Sequence, residues 1–231
     1  MISILLLSLL IGMRHALEAD HLAAVASISA QTNSIKASIK HGAVWGLGHT
    51  TTLFLFGSIA IWMDTIVPEE MAYRLEFAVG IMLVILGFAV IRRVIKDRIH
   101  YHFHKHADAE EHFHAHSHAG EGAHKDSEHK HQHSKFPYRT LLIGFMHGMA
   151  GSAALVILTL ETMKSVSLSM IYMLLFGIGS LIGMAAISVM ISIPLRATKG
   201  LTWFHNGLQG SIGVITIGFG LSIIIQSPIY S

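Results

Sequence analysis

Six apolar runs govern what this chain can fold into: 2–29, 41–63, 71–91, 138–160, 168–194 and 202–226. At ~1.5 Å per helical residue, each is long enough to cross the ~30 Å hydrocarbon of a bilayer. Composition agrees: 52% of the 231 residues are apolar and 13% are charged, against ~25% charged in a soluble domain. Mean hydropathy is +0.55. An ordinary cytosolic enzyme is excluded. So are a disulfide framework, a thiolate metal cage and a cysteine nucleophile, because the chain has no cysteine. The expected fold is all-α: six transmembrane helices, with the lipid bilayer as first partner, no nucleic-acid partner and a place in the cell membrane.

The runs fall into two groups of three, separated by a segment of opposite character. Residues 96–136 hold twelve of the eighteen histidines, half of the acids and almost nothing to bury. Such a segment cannot offset its ordering entropy and reads as a disordered loop. The domains are then 1–95, the loop 96–136, and 137–231. Orientation follows from Lys and Arg placement. Thirteen lie on the loop's side, including Lys36, Lys40, Arg92, Arg93, Lys96, Arg98, Arg196 and Lys199; Arg74 and Lys164 lie on the other. The histidine-rich loop is expected in the cytoplasm, and both termini outside.

Short motifs recur between the halves. Gly12-Met13-Arg14-His15 aligns with Gly144-Phe145-Met146-His147 at an offset of 132. Trp45-Gly46-Leu47-Gly48-His49 aligns with Phe176-Gly177-Ile178-Gly179-Ser180 at 131, and Leu86-Gly87-Phe88 with Ile217-Gly218-Phe219 at 131. Three spans per half is odd, so the second half is inverted relative to the first. That is the plan of many secondary transporters, whose substrate site lies near the midplane.

The first run has no positive n-region before MISILLLSLLIGM, unlike a signal peptide. Its uninterrupted part is too short to span, so the helix must continue through Arg14-His15-Ala16-Leu17-Glu18-Ala19-Asp20-His21. Five ionisable groups in eight intramembrane residues are costly and mark function. Counting from the cytoplasmic ends, His21 lies about 13 Å deep, His49 about 12 Å, His147 about 15 Å and His15 about 22 Å, with Asp20 level with His21. Imidazole plus carboxylate without thiolate suits a borderline divalent first-row ion. On a regular helix Asp20 lies about 140° and His21 about 240° around from His15. One ion can engage all three only if the backbone is irregular within 14–21.

The candidate metal ligands are His15, Asp20, His21, His49 and His147. Glu18, one turn from His15, is placed to orient it. His41, Thr50, His205 and Asn206 are candidates for the pathway or its surroundings, and Gln209 is either helix glue or channel lining. The loop histidines His100, His102, His104, His106, His112, His114, His116, His118, His124, His129, His131 and His133 form a metal-capture tract. Methionines scattered through the runs read as packing.

The segment RHALEADH resembles the nickel/cobalt transporter superfamily, whose signature is an intramembrane H-x4-D-H; His15, Asp20 and His21 occupy those positions and Arg14 also matches. Leu47-Gly48-His49-Thr50 is similar to that family's second motif. GFMHGMAGSAALV looks like the shorter urease-accessory-like and nickel/cobalt-efflux branches. Two departures stand out: Glu18 where Asp is usual, and no acid or amide in the following LAAVASIS. The resemblance implies Ni²⁺, or next Co²⁺, as transported substrate, ion selection by the signature and His49, no organic cofactor and no enzymatic activity.

Uptake is the expected direction, because a divalent cation gains about 4.6 kcal/mol entering a cell polarised by 100 mV. Efflux with the loop as cytoplasmic collector is the alternative. The H-x4-D spacing also occurs in glycerolipid acyltransferases, but here it sits mid-bilayer without a downstream phosphate-binding block. A sensor reading lacks an output domain. A cytoplasmic metallochaperone is compatible with the loop; the oligomeric state is open.

Overall fold

The computed structural model describes residues 2–32, 34–63, 68–98, 100–104, 112–116, 137–162 and 165–228. The helices are α1 (Ile2–His15), α2 (Ala19–Ala30), α3 (Ile35–Trp62), α4 (Glu69–Arg98), α5 (Tyr138–Thr162), α6 (Val166–Ala197) and α7 (Thr202–Gln226). Pro68 and Pro137, which lack an N–H, stand just before α4 and α5, where a helix can spare that donor. Among the described residues, three helical segments are long and apolar enough to cross a membrane: Glu69–Lys96, Val166–Ala197 and Thr202–Gln226. Trp62 and Trp203, at the ends of α3 and α7, are more than 80% exposed, as aromatic residues of an interfacial belt are.

The first apolar run is two helices. Leu17 N–H donates to Arg14 O and Glu18 N–H to His15 O, tightening the last turn of α1. Glu18 is extended at φ −62°, ψ 147°, and α2 restarts behind it. The interruption falls within 14–21, where the spacing of His15, Asp20 and His21 requires it.

Four helix pairs carry most of the packing: α3 with α5 and with α6, α1 with α6, and α4 with α7. Glycines let these pairs approach backbone to backbone. A Cβ at Gly12 would collide with Phe176 O, and one at Gly144 with Trp45 O; the same holds for Gly179 on Leu9 O and Gly48 on Leu141 O. Without strong hydrophobic drive between helices in lipid, close van der Waals fit through small residues becomes the association force. The largest buried cluster packs Trp45 and Leu83 with Val25, Met82 and Met184. Polar contacts pin α2 to its neighbours: Ser27 Oγ and Thr216 Oγ1 are 2.9 Å apart, and Gln209 Nε2 donates to Ala30 O at 3.1 Å. Gln209 is therefore helix glue. An Arg93 guanidinium N–H also reaches Gln31 O.

The segment expected to be disordered contains a two-stranded antiparallel ribbon, β1 (His100–His104) and β2 (His112–His116), with His100, His102 and His104 paired with His116, His114 and His112. The physical reason is a period-2 alternation of histidine with Tyr101, Phe103 and Phe113, aromatic residues that favour strands. His106, His118, His124, His129, His131 and His133 lie outside the described residues, as does Lys164.

Candidate metal centre

The break after α1 determines the site. A straight helix would leave His15 about 9 Å above His21 and turned away from it. The tightened turn at 16–18 instead brings the two rings to a centroid separation of 4.4 Å. His15 therefore shares the level of His21 and His49, correcting the straight-helix depth of 22 Å. From α3, the His49 ring comes to 5.4 Å from His15 and 5.0 Å from His21. From α5, the His147 ring comes to 4.2 Å from His21 and 6.0 Å from His49. His21, His49 and His147 are at most 1% exposed. The side chains of His15, Asp20 and Glu18 at the break are progressively more open.

The five predicted ligands do not surround one point. They form two overlapping groups that share His21: His15–His21–His49, and Asp20–His21–His147, each offering ligand atoms within 4.8 Å of one another. The hydrogen bonds distinguish them. Asp20 Oδ1 accepts from His21 N–H at 2.9 Å and from His21 Nδ1 at 3.0 Å, while Oδ2 accepts from His147 Nε2 at 2.8 Å. In the second group these bonds occupy both Asp20 oxygens, His21 Nδ1 and His147 Nε2. In the first, Glu18 Oε1 lies 2.8 Å from His15 Nδ1, so each of two imidazoles gives its Nδ1 proton to a carboxylate. That fixes the tautomer whose Nε2 lone pair is free.

Those nitrogens are the ones left without partners. His15 Nε2, His21 Nε2 and both ring nitrogens of His49 are buried and accept or donate no hydrogen bond among the described residues; His147 Nδ1 is a further one. An unmet buried polar group costs roughly 1–3 kcal/mol. A cluster of them converging from three helical segments suits a cation that takes lone pairs.

The remaining candidates lie elsewhere. His41 Nδ1 is 2.7 Å from Thr140 Oγ1, and His205 Nδ1 is 3.2 Å from Thr198 Oγ1. Thr50 Oγ1 donates to Gly177 O at 2.9 Å and serves the α3–α6 contact. Asn206 is half-buried on α7, with no described contact to the cluster. Sequence reasoning missed two aromatic neighbours. Trp45 packs its ring 5.5 Å from His21 and 5.4 Å from His147, and Phe176 lies 5.2 Å from His15. Their signal was present, since they occupy matching positions in the repeated motif, but ring contacts across helices are not encoded in helical period.

The chain is 35% identical over 222 residues, 96% of its length and 90% of the relative's, to "Urease accessory protein UreH" of Bacillus sp. (strain TB-90). It is also similar to two Arabidopsis thaliana proteins, "Chloroplast protein FOR GROWTH AND FERTILITY 1" and "2". Identity is 25% over 96% of this chain and 26% over 93% of it, spanning 58% and 54% of their lengths. No solved structure matches. Residues 1–226 match the family described as "NicO: High-affinity nickel-transport protein", and the chain, with its histidine cluster inside the apolar bundle, belongs to that family.

Proposed function

We propose that the His15–His21–His49 triad is the transport site through which this nickel transporter carries Ni²⁺ across the membrane, and that the net movement is inward. The observation that carries the reading is the set of buried, unpartnered ring nitrogens on α1, α2 and α3, two of them on imidazoles whose opposite nitrogens are held by carboxylates. Three imidazoles supply borderline ligands, and their carboxylate partners raise ligand basicity while preserving orientation. Co²⁺ fits the same donors. Asp20 and His147 form an adjoining station, which an ion enters only by displacing the hydrogen bonds between them.

In this reading α1 and α2 together make one span, α3 to α7 make five more, and the halves 1–95 and 137–231 are inverted repeats. The glycine contacts support it. Gly12 on Phe176 and Gly144 on Trp45 are one contact written twice at offsets of 132 and 131, as are Gly179 on Leu9 and Gly48 on Leu141. A broken helix at the ion site is also how secondary transporters free polar groups at the midplane. The ribbon's histidine-to-histidine register supports metal capture on the cytoplasmic side, where both termini being outside would place it.

The test is uptake of isotopic Ni²⁺, Co²⁺ and Zn²⁺ into proteoliposomes of known orientation under an inside-negative potential. Accumulation of Ni²⁺ that grows with the potential is expected. Absence of flux for every metal by folded protein would overturn transport, and flux only outward against the potential would overturn the direction.

A further inference from the structure

The ion cluster lies between two buried aromatic side chains that occupy equivalent places in the two halves. Trp45 is 0% and Phe176 4% exposed, and they stand 131 residues apart in aligned motifs. Each belongs to the same local constellation. On α1, Gly12 packs on the Phe176 backbone, and His15, three residues on, meets the Phe176 ring at 5.2 Å. On α5, Gly144 packs on the Trp45 backbone, and His147, three residues on, meets the Trp45 ring at 5.4 Å.

The two rings approach the cluster from opposite ends of the bundle. Trp45 is ten residues from the start of α3 and Phe176 ten from the start of α6, which is about 15 Å in from each helix start. In the inverted arrangement α3 and α6 enter from opposite faces, which puts Trp45 one turn nearer than His49 to the cytoplasmic end of α3, and Phe176 nearer the outer end of α6. The Trp45 indole N–H finds no acceptor among the described residues. A buried indole normally has one, so the packed position of this ring is not held by a polar bond.

We propose that Trp45 and Phe176 are the paired barriers of the ion path, Trp45 closing the His21–His49–His147 side towards the cytoplasm and Phe176 closing His15 towards the outside. The proposal rests on the transport reading and on the inverted arrangement of the halves. Each barrier works by filling the space next to the imidazoles with a rigid apolar ring that excludes water and the hydrated ion. Opening one requires only that its ring leave the histidines, because the helices beneath it remain joined through the glycine contacts. Two barriers on opposite sides of one site are what alternating access needs.

The chain has no cysteine, so a single one reports access without background. His49→Cys places a thiol at a fully buried position inside the histidine cluster. Its reaction with a membrane-impermeant thiol reagent is measured in sealed vesicles of each orientation, alone and combined with Trp45→Ala or Phe176→Ala. The single variant is expected to be protected from both faces. Adding Trp45→Ala should raise reactivity from the cytoplasmic face by ~10-fold or more, and Phe176→Ala from the outer face, tenfold being ~1.4 kcal/mol of lost closed-state preference. If an alanine variant fails to fold by size-exclusion chromatography, Trp45→Leu or Phe176→Leu replaces it, with the same face expected and a smaller rise.

Unchanged reactivity, or both variants opening to the same face, would overturn the barriers. Because this readout needs no bound metal, it separates the two ideas. Wild-type protein that carries Ni²⁺ while the face-specific pattern fails refutes the barriers alone. The pattern without any Ni²⁺ flux refutes transport and leaves the barriers standing.

Discussion

The two halves share their packing but not their chemistry. Gly12 and Gly144 seat the same kind of backbone contact, and His15 corresponds to His147. Beyond those positions they part. The first half breaks its helix at 16–18 and supplies Asp20 and His21, whereas α5 runs unbroken through Ser152 and Ala153 at the corresponding places. His49 on α3 corresponds to Ser180 on α6. On the proposed repeat, glycine spacing has to persist in both halves because both must pack closely. Beyond that shared histidine, the proposed triad draws its ligands from the first half alone.

The largest expected contrast is between the equivalent positions His49 and Ser180. His49→Ala should lower Ni²⁺ flux into proteoliposomes by more than ~100-fold, beyond the range for residues that only orient ligands. Ser180→Ala, one half over, should leave flux near wild type. Equal losses would mean that both halves contribute ligands. Next in size are the carboxylates. Asp20→Asn removes the charge and one of the two oxygens that accept from His21 and His147, and Glu18→Gln weakens the hold on His15. Ni²⁺ affinity by isothermal titration should fall by roughly 10–100-fold, with Asp20→Asn the greater loss because it serves two rings.

Smaller still are the packing contacts that the halves share. Gly12→Ala and Gly144→Ala should each destabilise the detergent-solubilised protein by roughly 1–3 kcal/mol, the cost of overpacking a tight helix contact. A similar drop in melting temperature for both sharpens the case for equivalence; a loss in only one breaks it. Deleting residues 100–134 should change least, leaving maximal flux intact while weakening flux at scarce Ni²⁺.

Much of this was legible in the sequence because helical geometry is regular. A 100° step per residue shows that His15 and His21 cannot share an ion on a straight helix, so irregular backbone within 14–21 was expected if they serve one site. The candidate ligands were legible because ionisable groups are rare and costly in apolar runs. What stayed hidden depends on partners from distant segments. Asp20 reads as a ligand beside His21 until α5 delivers His147 to its second oxygen. Trp45 and Phe176 read as ordinary apolar residues, because their meaning lies in which rings they touch. The ribbon of His100–His104 and His112–His116 was hidden by a composition that favours disorder, although its period of two was visible.

The account turns on the claim that transported Ni²⁺ passes through the intramembrane triad rather than depending on the histidine-rich segment. His21 tests this most directly, since it belongs to both candidate groups. Isotopic Ni²⁺ flux should be measured for wild type and His21→Ala, with folding checked by size-exclusion chromatography and 96–136 left in place. Folded His21→Ala is predicted to carry no Ni²⁺ above empty liposomes. Wild-type flux in that variant would contradict the account and move the transport site elsewhere.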